Sequence, residues 1–320
     1  VGKNPSVDLL KGLLILLVMA GHAMELTHQQ HLALWIGAGF RMPLMIGISG
    51  YLLNVTRTRT DRADLLFGRY GERMLLPWAF ALMVYLLVSG WPLSWATPLE
   101  MVLRPPFHLW YVPVLFFLIM VTRLAPLSPL MLLAIGAPIS LATMYSFGLD
   151  HGPIGVSLLS ADNRFIRYPV YFFFGMVMAE RGLPTRYLGV VLLAVALGLL
   201  WWSGLWGSGN GLAYVPARLI MCLGLIALLP RLAALRLSFG PLNRIGRDSL
   251  FFYLWHPLVM GMVLTSGAGA LTTLLLSVLI LLLVSRLSAS RGYLRRCLGS
   301  APPSRRVEAT VSAEGLPQPV

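Results

Sequence analysis

The chain has 320 residues, of which 57% are hydrophobic and 12% charged, against about 25% charged in an average soluble protein. With a mean hydropathy of +0.76 it reads as an integral membrane protein, which excludes the soluble enzyme classes. The formal charge of +13 would suggest nucleic acid in a soluble chain, but in a membrane protein Lys and Arg collect in cytoplasmic loops, so no nucleic-acid partner is expected.

Apolar runs of spanning length predict an all-α, polytopic fold of about ten transmembrane helices, near 8-26, 32-54, 74-92, 108-123, 129-147, 167-180, 187-206, 212-230, 246-264 and 268-286. The first run lacks a small-residue cleavage site followed by a soluble domain and reads as a retained helix. The runs at 108-123 and 167-180 are short, as in tilted or broken helices. No tract is polar enough for a second folded domain, and no internal repeat is visible. One transmembrane domain over 1–300 is therefore expected, followed by a disordered cytoplasmic tail over 301–320, which is rich in Pro, Ser and Ala. Cys222, in an apolar run, and Cys297, in a basic one, make neither a metal set nor a disulfide framework.

Twenty of the 25 Lys and Arg fall at one set of helix ends, from Lys3 and Lys11 through Arg57, Arg59, Arg62, Arg69 and Arg73 to Arg305 and Arg306. Arg41, Arg104, Arg164, Arg167 and Arg218 are the exceptions. This asymmetry places both termini in the cytoplasm.

Within the first run Lys11 and His22 are eleven residues apart. That step turns through about 1100°, so both side chains lie within about 20° of one face, about 16 Å apart along the axis. A helix that only needed to span the bilayer would carry Leu at both places. Glu25 follows one turn beyond His22, where it can orient the ring, and Asp8 precedes Lys11 by three residues, where it can pair with the ammonium. The second run carries Arg41 at a matching depth, the eighth Arg218, and the ninth Tyr253 and His256. Pro257 follows His256, freeing a backbone carbonyl and bending the helix, a habit tolerated where helices line a cavity. Ionisable groups on four helices predict one buried polar chamber. His28, His31 and His151 fall in outer loops, where they are expected to be solvated, and could meet around a metal only by joining distant loops; no metal is expected. Trp110 and Tyr111 read as aromatic belt, with His108 near the outer end of its run.

Six stretches then stand in an informative order: Lys11 with His22; FRMPLMIGISGYL from Phe40 to Leu52; RMLLP from Arg73 to Pro77; HLWYVPVLF from His108 to Phe116; YFFFGM from Tyr171 to Met176; and IGRDSLFFYLWHPL from Ile245 to Leu258. Together they resemble the acyltransferase-3 family of membrane O-acyltransferases, most closely its fucose-acetylase and exopolysaccharide O-acetyltransferase branch. The pattern departs from the family where Lys11 replaces a common Arg, where Arg41 stands in place of a His before Met-Pro, and where three residues, not two, separate Arg69 from Arg73. The resemblance implies acetyl-CoA as donor and a surface or exopolysaccharide glycan, on a lipid-linked precursor, as acceptor. It further implies a bacterial inner membrane, lipid contact and polysaccharide-assembly proteins as partners.

The chemistry agrees with the residues. O-acylation needs a base to take the hydroxyl proton as the alcohol attacks a thioester, and a neutral imidazole is suited to it. The expected catalytic pair is His22 with Glu25. Lys11, Arg69 and Arg73 are expected at the cytoplasmic mouth, attracting the phosphates of coenzyme A. Arg41, Ser49, His108, Trp110, Arg218, Tyr253 and His256 are the expected acceptor-side residues. Direct attack in a ternary complex and passage through an acyl-histidine are both compatible with this set. The rival from another class is a transporter or flippase for a glycan or lipid-linked glycan, which would use the same chamber for translocation.

Overall fold

Asn4 starts the first helix. Its side-chain oxygen accepts from the backbone N–H of Ser6 (3.0 Å) and Val7 (3.4 Å), Pro5 supplies a helical φ, and Asp8 sits in the first turn, where the helix dipole favours an acid. The computed structural model describes residues 4–301 apart from 93, 156, 158, 159 and 290. Lys3 and, save for Ala301, the expected tail over 301–320 lie outside the described residues.

Among those residues ten helices have thirteen residues or more: α1 (Pro5–Leu26), α2 (Leu32–Leu52), α3 (Leu76–Ser89), α4 (Tyr111–Leu124), α5 (Pro129–Phe147), α6 (Pro169–Arg181), α7 (Leu188–Gly204), α8 (Gly211–Ala227), α9 (Ser249–Leu264) and α10 (Ala270–Ala289). Apart from one isolated bridge between Pro153 and Asp162, the described chain is all-α. Each predicted apolar run overlaps one of these helices. Seven helical stretches are long and apolar enough to cross a membrane: Pro5–Leu26, Leu32–Leu52, Ala63–Ser89, Pro129–Phe147, Thr185–Gly204, Gly211–Leu235 and Ala270–Ser288. The protein is thus a multi-spanning membrane protein. At 14, 13 and 16 residues, α4, α6 and α9 fall below the ~17–25 residues that cross a bilayer unaided.

Two boundaries differ from expectation in ways that matter. The third stretch begins at Ala63, because helix Ala63–Tyr70 continues through a π-helical turn, Gly71–Leu75, into α3. The fourth starts at Tyr111, so His108 and Trp110 lie in the turn before it.

Close packing is set by glycines that the six stretches carry. A Cβ on Gly50 of α2 would lie 2.0 Å from the Phe172 carbonyl oxygen of α6, and one on Gly175 of α6 would lie 2.1 Å from that of Gly47. In the same way α1 crosses the short helix Gly240–Arg247 at Gly12 and Gly246, where added carbons would meet the carbonyls of Leu242 and Asp8 at 2.2 and 1.7 Å. Backbones this close pack tightly in a solvent that gives apolar side chains no reason to leave it. Asn243 reinforces the second crossing by donating to the Pro5 carbonyl (2.6 Å), and Asp248 accepts from Ser285 (2.6 Å) and from Ala301 N–H (2.8 Å). On the periphery Leu87, Leu200 and Leu271 are exposed, as a lipid-facing surface requires.

Candidate active site

Three prolines inside or near the starts of helices each leave a carbonyl four residues earlier without its helical donor, and in each case another side chain takes it. Pro43 frees Gly39, whose oxygen accepts from Arg218 Nε (2.8 Å) and Cys222 Sγ (3.5 Å). Pro257 frees Tyr253, whose oxygen accepts from His256 Nδ1 (3.0 Å), as does that of Phe252 (2.8 Å). Pro113 frees Leu109, whose oxygen accepts from Trp78 Nε1 (2.9 Å). Arg218 and His256 are thereby anchored inside the protein by backbone.

His22 Nδ1 lies 2.9 Å from Glu25 Oε2, and Arg41 holds the other carboxylate oxygen at 3.2 Å while also donating to the Leu17 carbonyl (3.4 Å). A carboxylate can only accept, so Nδ1 carries the proton, and the lone pair of the neutral tautomer is the one on Nε2. The ring packs with two others: centroids are 5.2 Å apart for His22–His256, 5.2 Å for His108–His256 and 6.3 Å for His22–His108. His108 donates from Nε2 to the Leu254 carbonyl (3.3 Å). One nitrogen of each ring is turned to a protein partner, the buried His256 Nε2 has none, and among the described residues no group of His, Cys, Asp and Glu is arranged to hold a metal.

Two cavities lie toward opposite ends of α1, an inner one at the Lys11 end and an outer one at the His22 end. The inner one, about 520 Å³, is lined by Lys11, Ser49, Arg57, Arg69 and Arg73 together with Tyr111 and Tyr253. The outer one, about 260 Å³, is lined by His22, Arg41, His108, Trp110, Arg164, Arg167, Arg218 and again Tyr253. Tyr253 is the wall they share. Its hydroxyl donates to the His108 carbonyl and accepts from Tyr111 N–H (3.1 Å), and the Tyr111 hydroxyl in turn bonds Ser49 Oγ (2.9 Å). Hydrogen-bonded side chains and backbone of Tyr253, Tyr111 and Ser49 therefore tie the two cavity walls together.

Most of the expected residues are brought together, in two groups. Lys11, Arg69 and Arg73 share the inner cavity, and the residue by which the Arg69–Arg73 spacing exceeds the family pattern coincides with the π turn, an insertion that adds a residue without breaking the helix. Lys11 also pairs with Asp8 at 3.3 Å, and Asp61 bonds Arg69 and lies 3.4 Å from Arg57. The Arg69 hydrogen bond, followed by the charges of Arg69 and Arg57, holds the Asp61 carboxyl below its usual range. Ser49 lines the inner cavity, not the outer one with Arg41. His256 sits behind His22 and lines neither.

Other residues differ from the sequence reading or were absent from it. Trp110 and Tyr111 are buried, not interfacial: Trp110 stacks on Tyr168 with centroids 5.0 Å apart, and the Arg164 guanidinium lies 5.0 Å over its ring. His31 caps α2, its Nδ1 accepting from Ala33 N–H (3.2 Å). His151 is exposed, as expected of a loop residue, yet it lines the outer cavity, where partial desolvation and then the Arg164 charge push its imidazole below the usual range. Arg164 and Arg167, missed as site residues, were visible as two of the five cations on the wrong side of the charge asymmetry.

Searches of the curated proteins and of the solved structures returned no match. A family model described as an acyltransferase domain matches residues 4–288, a span that contains both cavities, the three-histidine cluster and all six stretches. The chain belongs to the acyltransferase-3 family.

Proposed function

We propose that the protein is an O-acetyltransferase of the bacterial inner membrane that moves an acetyl group from cytoplasmic acetyl-CoA to a sugar hydroxyl of a surface or exopolysaccharide glycan on a lipid-linked precursor. One observation carries the reading: a cavity lined by Lys11, Arg57, Arg69 and Arg73 and a cavity lined by His22 meet at a single residue, Tyr253. Cations at the inner mouth suit the phosphates of coenzyme A, and the thioester end then reaches toward the histidine. A groove of about 480 Å³ that shares Arg57, Arg69 and Arg73 with the inner cavity also carries two acids, Asp64 and Glu72.

In this reading the acceptor hydroxyl attacks the thioester carbonyl while its proton passes to His22 Nε2. The new C–O bond forms, the C–S bond breaks, and the leaving thiolate takes the proton back from His22. Glu25 holds the Nδ1 proton and so keeps the correct tautomer, and it stabilises the imidazolium that forms in between. Arg41 fixes Glu25 in turn. Direct transfer needs no covalent enzyme intermediate and uses only groups already in place. Both termini lie in the cytoplasm in this orientation, which puts the inner cavity on the side of the donor.

The test is purified protein with radiolabelled acetyl-CoA and a glycan acceptor. Transfer to the glycan is expected, and His22→Ala should reduce it by about 10²–10⁴-fold with the thermal melt unchanged. Transfer that persists undiminished in His22→Ala removes the base from the mechanism. Movement of intact glycan across a liposome membrane without acylation favours the transporter.

A further inference from the structure

The outer cavity holds more positive charge than the chain neutralises. Four guanidinium groups line it, and two carboxylates answer them: Glu25 on Arg41 at 3.2 Å and Asp162 on Arg164 at 2.7 Å. Arg167 and Arg218 make no ion pair among the described residues. Both are instead aimed and held by backbone. Arg167, only 3% exposed, donates to the carbonyls of Leu149 (3.2 Å) and Asp150, and its Nε has no partner at all. Arg218, half-buried, is anchored on the Gly39 carbonyl that Pro43 releases and also meets the Tyr168 side chain. Backbone dipoles orient a guanidinium but do not cancel its charge, and a buried cation without a counter-charge is costly. Planar forks fixed in this way match an anionic oxygen pair.

We infer that the acceptor is anionic: the sugar unit that enters the outer cavity carries a carboxylate or a phosphate, which Arg167 and Arg218 bind. The volume of about 260 Å³ lies just under the ~300–1,000 Å³ of drug-sized sites and suits one sugar with its charged substituent. The stacked faces of Trp110 and Tyr168 form the wall beside it. The word acceptor rests on the acyl-transfer reading, but the anion site does not.

The experiment has a kinetic arm and a binding arm. In the first, purified protein and labelled acetyl-CoA are given methyl glucoside, methyl glucuronide or methyl glucoside 6-phosphate. The expected result is a kcat/KM at least about ten-fold higher for one of the anionic sugars than for methyl glucoside, the preferred one identifying carboxylate or phosphate. In Arg218→Gln that ratio should fall by about ten-fold, in Arg218→Lys by less, and Arg167→Gln serves where the first variant does not fold. A ratio of one, or a preference for methyl glucoside, overturns the inference. In the second arm, glucuronate and inorganic phosphate are added to the protein without donor. A raised melting temperature with either anion, absent with glucose and lost in Arg218→Gln, supports the site even if no sugar is acetylated. No shift with either anion overturns it, whatever the outcome for acyl transfer.

Discussion

The inner and outer cavities are both basic, yet they hold their cations differently. At the inner cavity, Lys11, Arg57 and Arg69 lean on the nearby acids Asp8 and Asp61, and the Arg57 side chain is 62% exposed on the short helix Val55–Thr60. Outside, Arg41, Arg164 and Arg167 are each less than 10% exposed, and carbonyls pin Arg167 and Arg218 in one orientation. The first arrangement suits attraction of a mobile, highly charged donor that must come and go. The second suits recognition, because side chains already ordered lose little entropy when a ligand binds.

After His22→Ala, the largest expected effect also breaks the outer region. Glu25→Gln keeps the size of the side chain but lets its amide donate to Nδ1, which stabilises the wrong tautomer of His22. Loss of kcat by about 10²-fold is expected with donor affinity intact, measured by single-turnover kinetics and donor titration. Next comes Pro43→Ala, which restores an N–H that competes with Arg218 for the Gly39 carbonyl. Acceptor KM should rise by about ten-fold while donor binding stays as in wild type.

The inner region should answer with smaller effects that salt can erase. Arg73→Ala is expected to weaken acetyl-CoA binding by about five-fold, roughly 1 kcal/mol, and Lys11→Ala by less, because Asp8 already shares its ammonium. Titrations at low and high ionic strength check this: the variants and wild type should converge as salt rises, whereas the Pro43→Ala defect should not. The smallest effect is pH-dependent. Arg69 depresses the Asp61 carboxyl, so that pair stabilises the fold above the unfolded carboxylate range near pH ~4, and the contribution disappears as pH falls below it. The melting temperature of wild type should exceed that of Asp61→Asn slightly at pH 6, and the gap should narrow as pH falls below the unfolded carboxylate range.

Much of the candidate site was legible where its signals are local. Lys11 and His22 lie on one helix, where 3.6 residues per turn decide their relation, and Arg69 and Arg73 lie within a single helical stretch. Glu25 was legible in the same way, one turn from His22. Arg164, Arg167 and His151 were not. They come from the segment between α5 and α6, and no periodicity says which way such a segment folds back over the bundle. The position of Ser49 was misjudged for a related reason. Depth along α2 could be counted, but the shared wall at Tyr253, which assigns Ser49 to the inner side, depends on how α4 and α9 meet.

The amino-acid order alone determined that the chain lives in a bilayer, that its apolar runs are helices, and which intramembrane residues carry charge, because hydropathy, helical pitch and desolvation act on short stretches. Tertiary structure decided which carbonyls freed by Pro43, Pro113 and Pro257 found new donors, and that two cavities touch at one tyrosine. Those outcomes depend on glycine-lined crossings between helices far apart in the chain, and contact across such distances leaves no repeat for a single sequence to display.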